Sequence, residues 1–105
     1  MSLSIESTTD SQGATTLLVC GEVDVSNASE LRDAVDAALS AGPSSLVVDV
    51  SQTPYIDSTG IGVLVGAAHR CADAGCALSV ARPQRNVARV LALLGVGADL
   101  NIVQD

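Results

Sequence analysis

The run Leu46-Val47-Val48-Asp49-Val50 constrains this chain more than any other stretch. It is too short for a buried helix, rich in β-branched residues, and flanked by the helix-stopping pair Gly42-Pro43 and a polar loop from Ser51 to Asp57. Such a run reads as a strand buried on both faces, the pattern of a parallel sheet covered by helices. A parallel neighbour requires a crossover, so helices must come before and after it. The chain supplies both.

Upstream, Ser26-Asn27 opens a helical pattern with Glu30 three residues after Asn27. The spacing makes Asn27 the expected side-chain cap and Glu30 a favourable first-turn acid. Leu31, Val35, Ala38 and Leu39 recur at helical spacing, and Gly42-Pro43 ends the helix. Downstream, a second helix is expected from Ser58 to about Ala74, with Ile61, Leu64, Val65, Ala68 and Ala72 on its inner face and Gly75 at its end. Ala77-Leu78-Ser79-Val80 reads as the next strand. Pro83 stands at the expected start of a third helix, with Val87, Val90, Leu91 and Leu94 as its apolar stripe. Leu100 to Val103 reads as a last strand. At the front, Leu3, Ile5 and Ser7 alternate as a strand, the polar turn Thr8–Gly13 follows, and Ala14–Val23 reads as the returning strand of a hairpin. The predicted order is β-β-α-β-α-β-α-β. The fold class is α/β, with residues 1–105 forming a single domain whose mixed, mostly parallel sheet has an N-terminal antiparallel hairpin strand.

Composition narrows the function. Of the 105 residues, 48% are hydrophobic, yet Tyr55 is the single aromatic, so Val, Leu, Ile and Ala must fill the core. Twelve acids against five arginines give a net charge of -7, with nine acids and one base before Ser58. No basic cluster interleaved with aromatics exists, which argues against nucleic-acid binding and against attraction to an anionic membrane. No apolar run has the length to span a bilayer, and no basic segment followed by an apolar one marks a signal peptide. Cys20, Cys71 and Cys76 are odd in number and lack CxxC spacing. They read as buried free thiols, and the expected location is the cytoplasm. No cofactor or metal site is expected.

The chemistry concentrates in Tyr55-Ile56-Asp57-Ser58-Thr59-Gly60-Ile61-Gly62, between the most buried strand and a helix. In α/β sheets this is where functional loops lie. Asp57 or Ser58 serves to cap the helix. Gly60, Gly62 and Gly66 each lower helix propensity by up to about 1 kcal/mol relative to Ala. Three such glycines imply close approach, either of the sheet below or of a partner above. A small Ser at this helix start is open to a modifying enzyme, and a phosphate there would face backbone N–H donors and the positive helix end, beside the like charge of Asp57. Glu22 and Asp24, in the turn before the first helix, read either as solvated loop acids or as facing the same rim as Ser58, since both stretches precede helices at corresponding strand ends. Catalysis finds no support: His69 is about 16 Å along the same helix from Ser58, beyond reach for a triad. Gly60-Ile61-Gly62 makes neither a phosphate-binding loop nor a dinucleotide fingerprint. Arg82, Arg85 and Arg89 read as solvated, aiding solubility or supplying one ion pair.

The string Gly21-Glu22-Val23-Asp24, then Val48-Asp49-Val50-Ser51, then Tyr55 through Leu64, resembles the anti-sigma factor antagonists of the STAS domain family across essentially the whole chain. The resemblance implies a partner switch and no enzymatic activity. Ser58 would be phosphorylated by an anti-sigma factor that is a serine kinase. The unphosphorylated form would bind that kinase and free the sigma factor, and a PP2C-type phosphatase would restore it. Asp24, Asp57, Ser58, Thr59, Gly60 and Gly62 would form the partner-binding surface, with Thr59 a second hydroxyl at the motif. The alternative within the family is a STAS subunit of a lipid-transport ABC complex or of a stressosome-like assembly.

Overall fold

A computed structural model describes residues 3–104. Strands β1 (Ser4–Thr9) and β2 (Ala14–Cys20) form the antiparallel hairpin, followed by α1 (Ala28–Ser40), β3 (Ser45–Gln52), α2 (Ser58–Asp73), β4 (Ala77–Ala81), α3 (Arg85–Leu93), a one-turn α4 (Gly97–Leu100) and β5 (Ile102–Val103). The sheet order is β1-β2-β3-β4-β5, antiparallel only between β1 and β2. The predicted class and succession of elements hold with α4 added before β5, and the order of strands across the sheet is set by the structure.

The hairpin turn is built by its own polar residues. Asp10 accepts from the N–H groups of Gln12 at 2.8 Å and Ala14 at 3.0 Å, and Gly13 takes the positive φ of +84° that closes the turn. Parallel register then aligns Leu17 with Val48 and Val48 with Val80. One sheet face therefore carries Leu17, Val19, Leu46, Val48, Val50, Leu78 and Val80, all in one core with Leu31 and Val35 of α1 and Ile61, Leu64, Ala67 and Cys71 of α2. Parallel strands in sequential order, joined by right-handed crossovers, send their helices to the same face. This corrects the expectation of a β3 buried on both sides, since Val47 on the other face is only half-buried.

Three boundaries shift. β2 ends at Cys20, and Val23 instead forms an isolated parallel bridge with Ile56. Leu100 belongs to α4 rather than a strand, leaving β5 two residues long. Pro83 precedes α3 by two residues and is buried, while Val90 and Leu94 of the predicted stripe lie exposed. On α2, the buried line is Ile61, Leu64, Ala67 and Cys71; Ala72 is exposed and Val65 and Ala68 are half-buried. Burial pushes the Cys71 thiol, helped by its neighbour Cys76, up to about 12, so Cys71 stays a neutral thiol in the core, and Cys76 is free and buried beside it. Cys20 is free and half-buried.

Asp49 is the one acid of β3 and is 7% exposed on the face opposite the core. It accepts from the Ser51 N–H at 2.9 Å and pairs with the guanidinium of Arg82. Arg82 holds a left-handed φ of 54°, rare for a non-glycine, and its own N–H donates to the Val103 carbonyl at 2.6 Å. Burial alone would raise the Asp49 carboxyl, but Arg82 and the Ser51 N–H and hydroxyl outweigh it and hold it below the ordinary value. A depressed carboxyl stabilises the fold above its unfolded pKa, and the contribution vanishes as pH falls through the folded value. We expect Asp49→Asn to lower the unfolding free energy by about 1–2 kcal/mol at neutral pH. In urea melts that difference should shrink below about pH 4. An equal loss at both pH values would remove the ionised pair as its origin.

Candidate functional site

The rim at the C-terminal ends of β2 and β3 is assembled from two loops. Val23 N–H donates to the Tyr55 carbonyl at 2.9 Å, and Asp57 N–H donates to the Val23 carbonyl at 3.1 Å. These bonds continue the parallel pairing past the end of β2, so the loop carrying Asp24 is zipped to the loop carrying Asp57. Side chains complete the join. Asp57 Oδ1 accepts from the N–H groups of Thr59 at 2.9 Å and Gly60 at 3.1 Å, the capping pattern of a helix start. Its other oxygen, Oδ2, accepts from the Val25 N–H at 3.1 Å across the rim. Asp57 is thus both the cap of α2 and the tie to the preceding loop.

That loop is shaped by Asp24. Its carboxylate accepts from the hydroxyl and N–H of Ser26, which hold it below the usual carboxylate range. Its carbonyl accepts from Asn27 at 3.1 Å and Ala28 at 2.8 Å. Asn27 does not cap α1 with its side chain, contrary to expectation. Its Oδ1 reaches back to accept from the Asp24 N–H at 2.9 Å, and its Nδ2 donates to the Glu22 carbonyl. The Asx-type turn won because it satisfies several loop groups with one amide.

Because Asp57 caps α2, Ser58 is left exposed at the first helical position. Thr59 beside it is exposed as well. The first-turn N–H groups of Thr59 and Gly60 are taken by the Asp57 side chain, and that of Ile61 by the Asp57 carbonyl at 3.0 Å. This narrows the expectation that a phosphate on Ser58 would face backbone N–H donors, since three of those in the first turn are already engaged. Added negative charge would stand next to the Asp57 carboxylate, at an exposed position.

The three glycines divide by function. A Cβ on Gly60 would come within 2.7 Å of both Val23 Cγ1 and Ile56 Cγ1, so this glycine lets α2 seat on the zipped loops. A Cβ on Gly62 or on Gly66 would meet nothing within 4 Å, so no contact inside the domain requires glycine there. Both line a groove of about 350 Å³ between α1 and α2 with Arg32, Thr59, Val63 and Arg70, and Arg70 pairs with Asp36 of α1. Two features escaped sequence reasoning. Val25 is 76% exposed and Tyr55 48% exposed, flanking Asp57 in the chain and across the rim. The presence of Tyr55 as the sole aromatic was the one available signal.

Gly60→Ala should lower stability by about 1–3 kcal/mol through overpacking. Gly62→Ala should raise it by up to about 1 kcal/mol through helix propensity. Thermal melts of the two variants check this, and shifts of the same sign would refute the division. Asp57→Ala removes the cap and should cost about 1 kcal/mol, with faster amide exchange at Val25, Thr59 and Gly60. Exchange unchanged at Val25 would show that the Oδ2 tie is not formed in solution.

The sequence profile described as "Mlab, STAS domain" matches residues 7–104. Among curated proteins there is no significant match. Among solved structures, the fold is similar to an anti-sigma factor antagonist from Mycobacterium paratuberculosis, with a TM-score of 0.87 at 23% identity over 99% of this chain and 87% of that one. It is similar to a putative anti-sigma factor antagonist from Thermotoga maritima, with a TM-score of 0.88 at 22% identity over 96% and 86% of the two chains. The Bacillus cell fate determinant SpoIIAA in its phosphorylated form aligns with a TM-score of 0.68 at 18% identity, over 90% of this chain and 86% of that one. With its profile matched over nearly the whole chain and its strand order reproduced in these structures, the protein belongs to the STAS domain family.

Proposed function

We propose that this domain is an anti-sigma factor antagonist whose docking surface is the rim around Ser58. Unphosphorylated, it binds an anti-sigma factor that is a serine kinase, and the sigma factor is released. Phosphorylation of Ser58 ends that binding, and a PP2C-type phosphatase restores it. The cycle belongs to the cytoplasm. The observation that carries the reading is the division of labour at the start of α2: Asp57 supplies the cap, and Ser58 stands exposed beside it. Support also comes from the relatives: two neighbours in fold are antagonists by description, and SpoIIAA exists in a phosphorylated form.

The physical mechanism needs no conformational change. The exposed apolar groups Val25 and Tyr55, with Gly62 and Asp24, give a partner a surface to dehydrate around Ser58. A phosphate carries a charge of about -1.5 to -2, and the Thr59 and Gly60 N–H donors beside it are already engaged by Asp57. Burying that charge unpaired costs several kcal/mol, at ~1.4 kcal/mol per decade a 10²- to 10³-fold loss of affinity. The domain acts in this reading as a binding module, with Ser58 as the acceptor of a phosphate rather than a nucleophile.

Incubation with candidate serine-kinase anti-sigma factors and ATP should place phosphate on Ser58. Ser58→Asp should weaken binding to that kinase by about 10²-fold, and Ser58→Ala should retain it. Label confined to Thr59, or equal affinities of the two variants, would overturn the proposal. A second reading within the family is a STAS subunit of a lipid-transport ABC complex or of a stressosome-like assembly; the matching profile itself is described only as "Mlab, STAS domain". Affinity purification from the native cell separates the two, since an ABC ATPase as the main companion supports the second and a serine kinase the first.

A further inference from the structure

We infer that α3 presents a second docking face, separate from the Ser58 rim, built for an acidic amphipathic helix of a partner protein. Two features of α3 disfavour the isolated domain. Its last turn exposes aliphatic side chains: Val90 is 37% exposed, Leu93 79% and Leu94 52%. Its first turns carry Arg85 and Arg89, both exposed, and neither forms an ion pair among the described residues. Arginines at a helix start oppose the positive end of the dipole, and α3 has neither a first-turn acid nor a side-chain cap to offset them.

Helical geometry joins the two features into one face. Residues four apart lie one above the other, so Arg85, Arg89 and Leu93 form one ridge and Asn86, Val90 and Leu94 the next. The second ridge starts where Asn86 Nδ2 donates to the Pro54 carbonyl at 2.6 Å, and Gln84 Nε2 donates to the Ser51 carbonyl at 3.0 Å. The start of α3 is thereby fixed to the loop that carries Tyr55 and Asp57. The face begins beside that loop and runs away from it along α3.

Charge complementarity selects the occupant. On a chain of net charge -7, an acidic segment is repelled over most of the surface, and the arginine ridge on α3 is where it is attracted. An aliphatic stripe on the same segment would cover Val90, Leu93 and Leu94, with its carboxylates over Arg85 and Arg89. One partner helix relieves both misplacements. An anionic membrane is the poorer match, because a nine-residue helix with three exposed aliphatic positions inserts little apolar area and the rest of the chain is repelled.

The test uses the full chain, isotope-labelled, and a synthetic amphipathic helix of about four turns bearing a leucine stripe flanked by glutamates. A second peptide has lysines in place of the glutamates. The glutamate peptide should shift amides across α3 and bind about tenfold more tightly than the lysine peptide. The Arg85→Glu/Arg89→Glu double variant should invert that preference, and Leu93→Asp should abolish glutamate-peptide binding. Ser58→Asp should leave the titration unchanged, which separates this face from the proposed switch. Equal binding of the two peptides or the absence of shifts on α3 would overturn the inference. So would α3 shifts produced by phosphatidylglycerol vesicles without peptide, or a self-association that Leu93→Asp removes.

Discussion

The carboxylate of Asp57 is the interaction on which the rim depends. One oxygen closes the first turn of α2 and the other holds the backbone of Val25, two tasks in two different loops. Without it the β2–α1 and β3–α2 loops would be joined only by the Val23 and Ile56 backbone bridge. Gly60 belongs to the same device. Its missing side chain lets α2 descend onto Val23 and Ile56, which brings the helix start within reach of the carboxylate.

This arrangement puts the capping side chain and the exposed hydroxyl at adjacent positions. The residue that stabilises the helix is half-buried and committed, whereas the residue that follows is exposed and free of that duty. A charge placed on Ser58 therefore alters the surface without dismantling the cap. In the proposed switch the chemistry would be local electrostatics, and the platform for it is the parallel sheet beneath the rim.

Much of the fold is legible because it rests on short-range patterns. The β-branched run at Leu46–Val50, the breaks at Gly42-Pro43 and Gly75, and the stripe Leu31, Val35 and Ala38 each carry their own periodicity. Where periodicity is ambiguous, reading falters. The four residues before β5 wind into α4 because Leu100 is buried from a helical turn, and alternation over so few positions cannot separate helix from strand. The inner face of α2 is displaced from the expected one for a related reason. A helix so rich in Ala, Val and Gly is apolar nearly all round, and packing rather than pattern chooses which line is buried.

The site divides in the same way. From the sequence alone came the fold class and the candidate loop with Asp57, Ser58 and Gly60, since a cap, a small hydroxyl and a helix-interior glycine announce themselves by residue type. Only the tertiary structure decided that Asp57 rather than Ser58 does the capping. It also decided that Gly60 faces inward while Gly62 and Gly66 face the groove, that Asn27 turns back to Asp24, and that Val25, Tyr55 and the end of α3 lie bare. These are questions of which hydrogen bond or contact wins among several that local chemistry permits. The winner is set by what the other loop, thirty-two residues away along the chain, brings to the same rim.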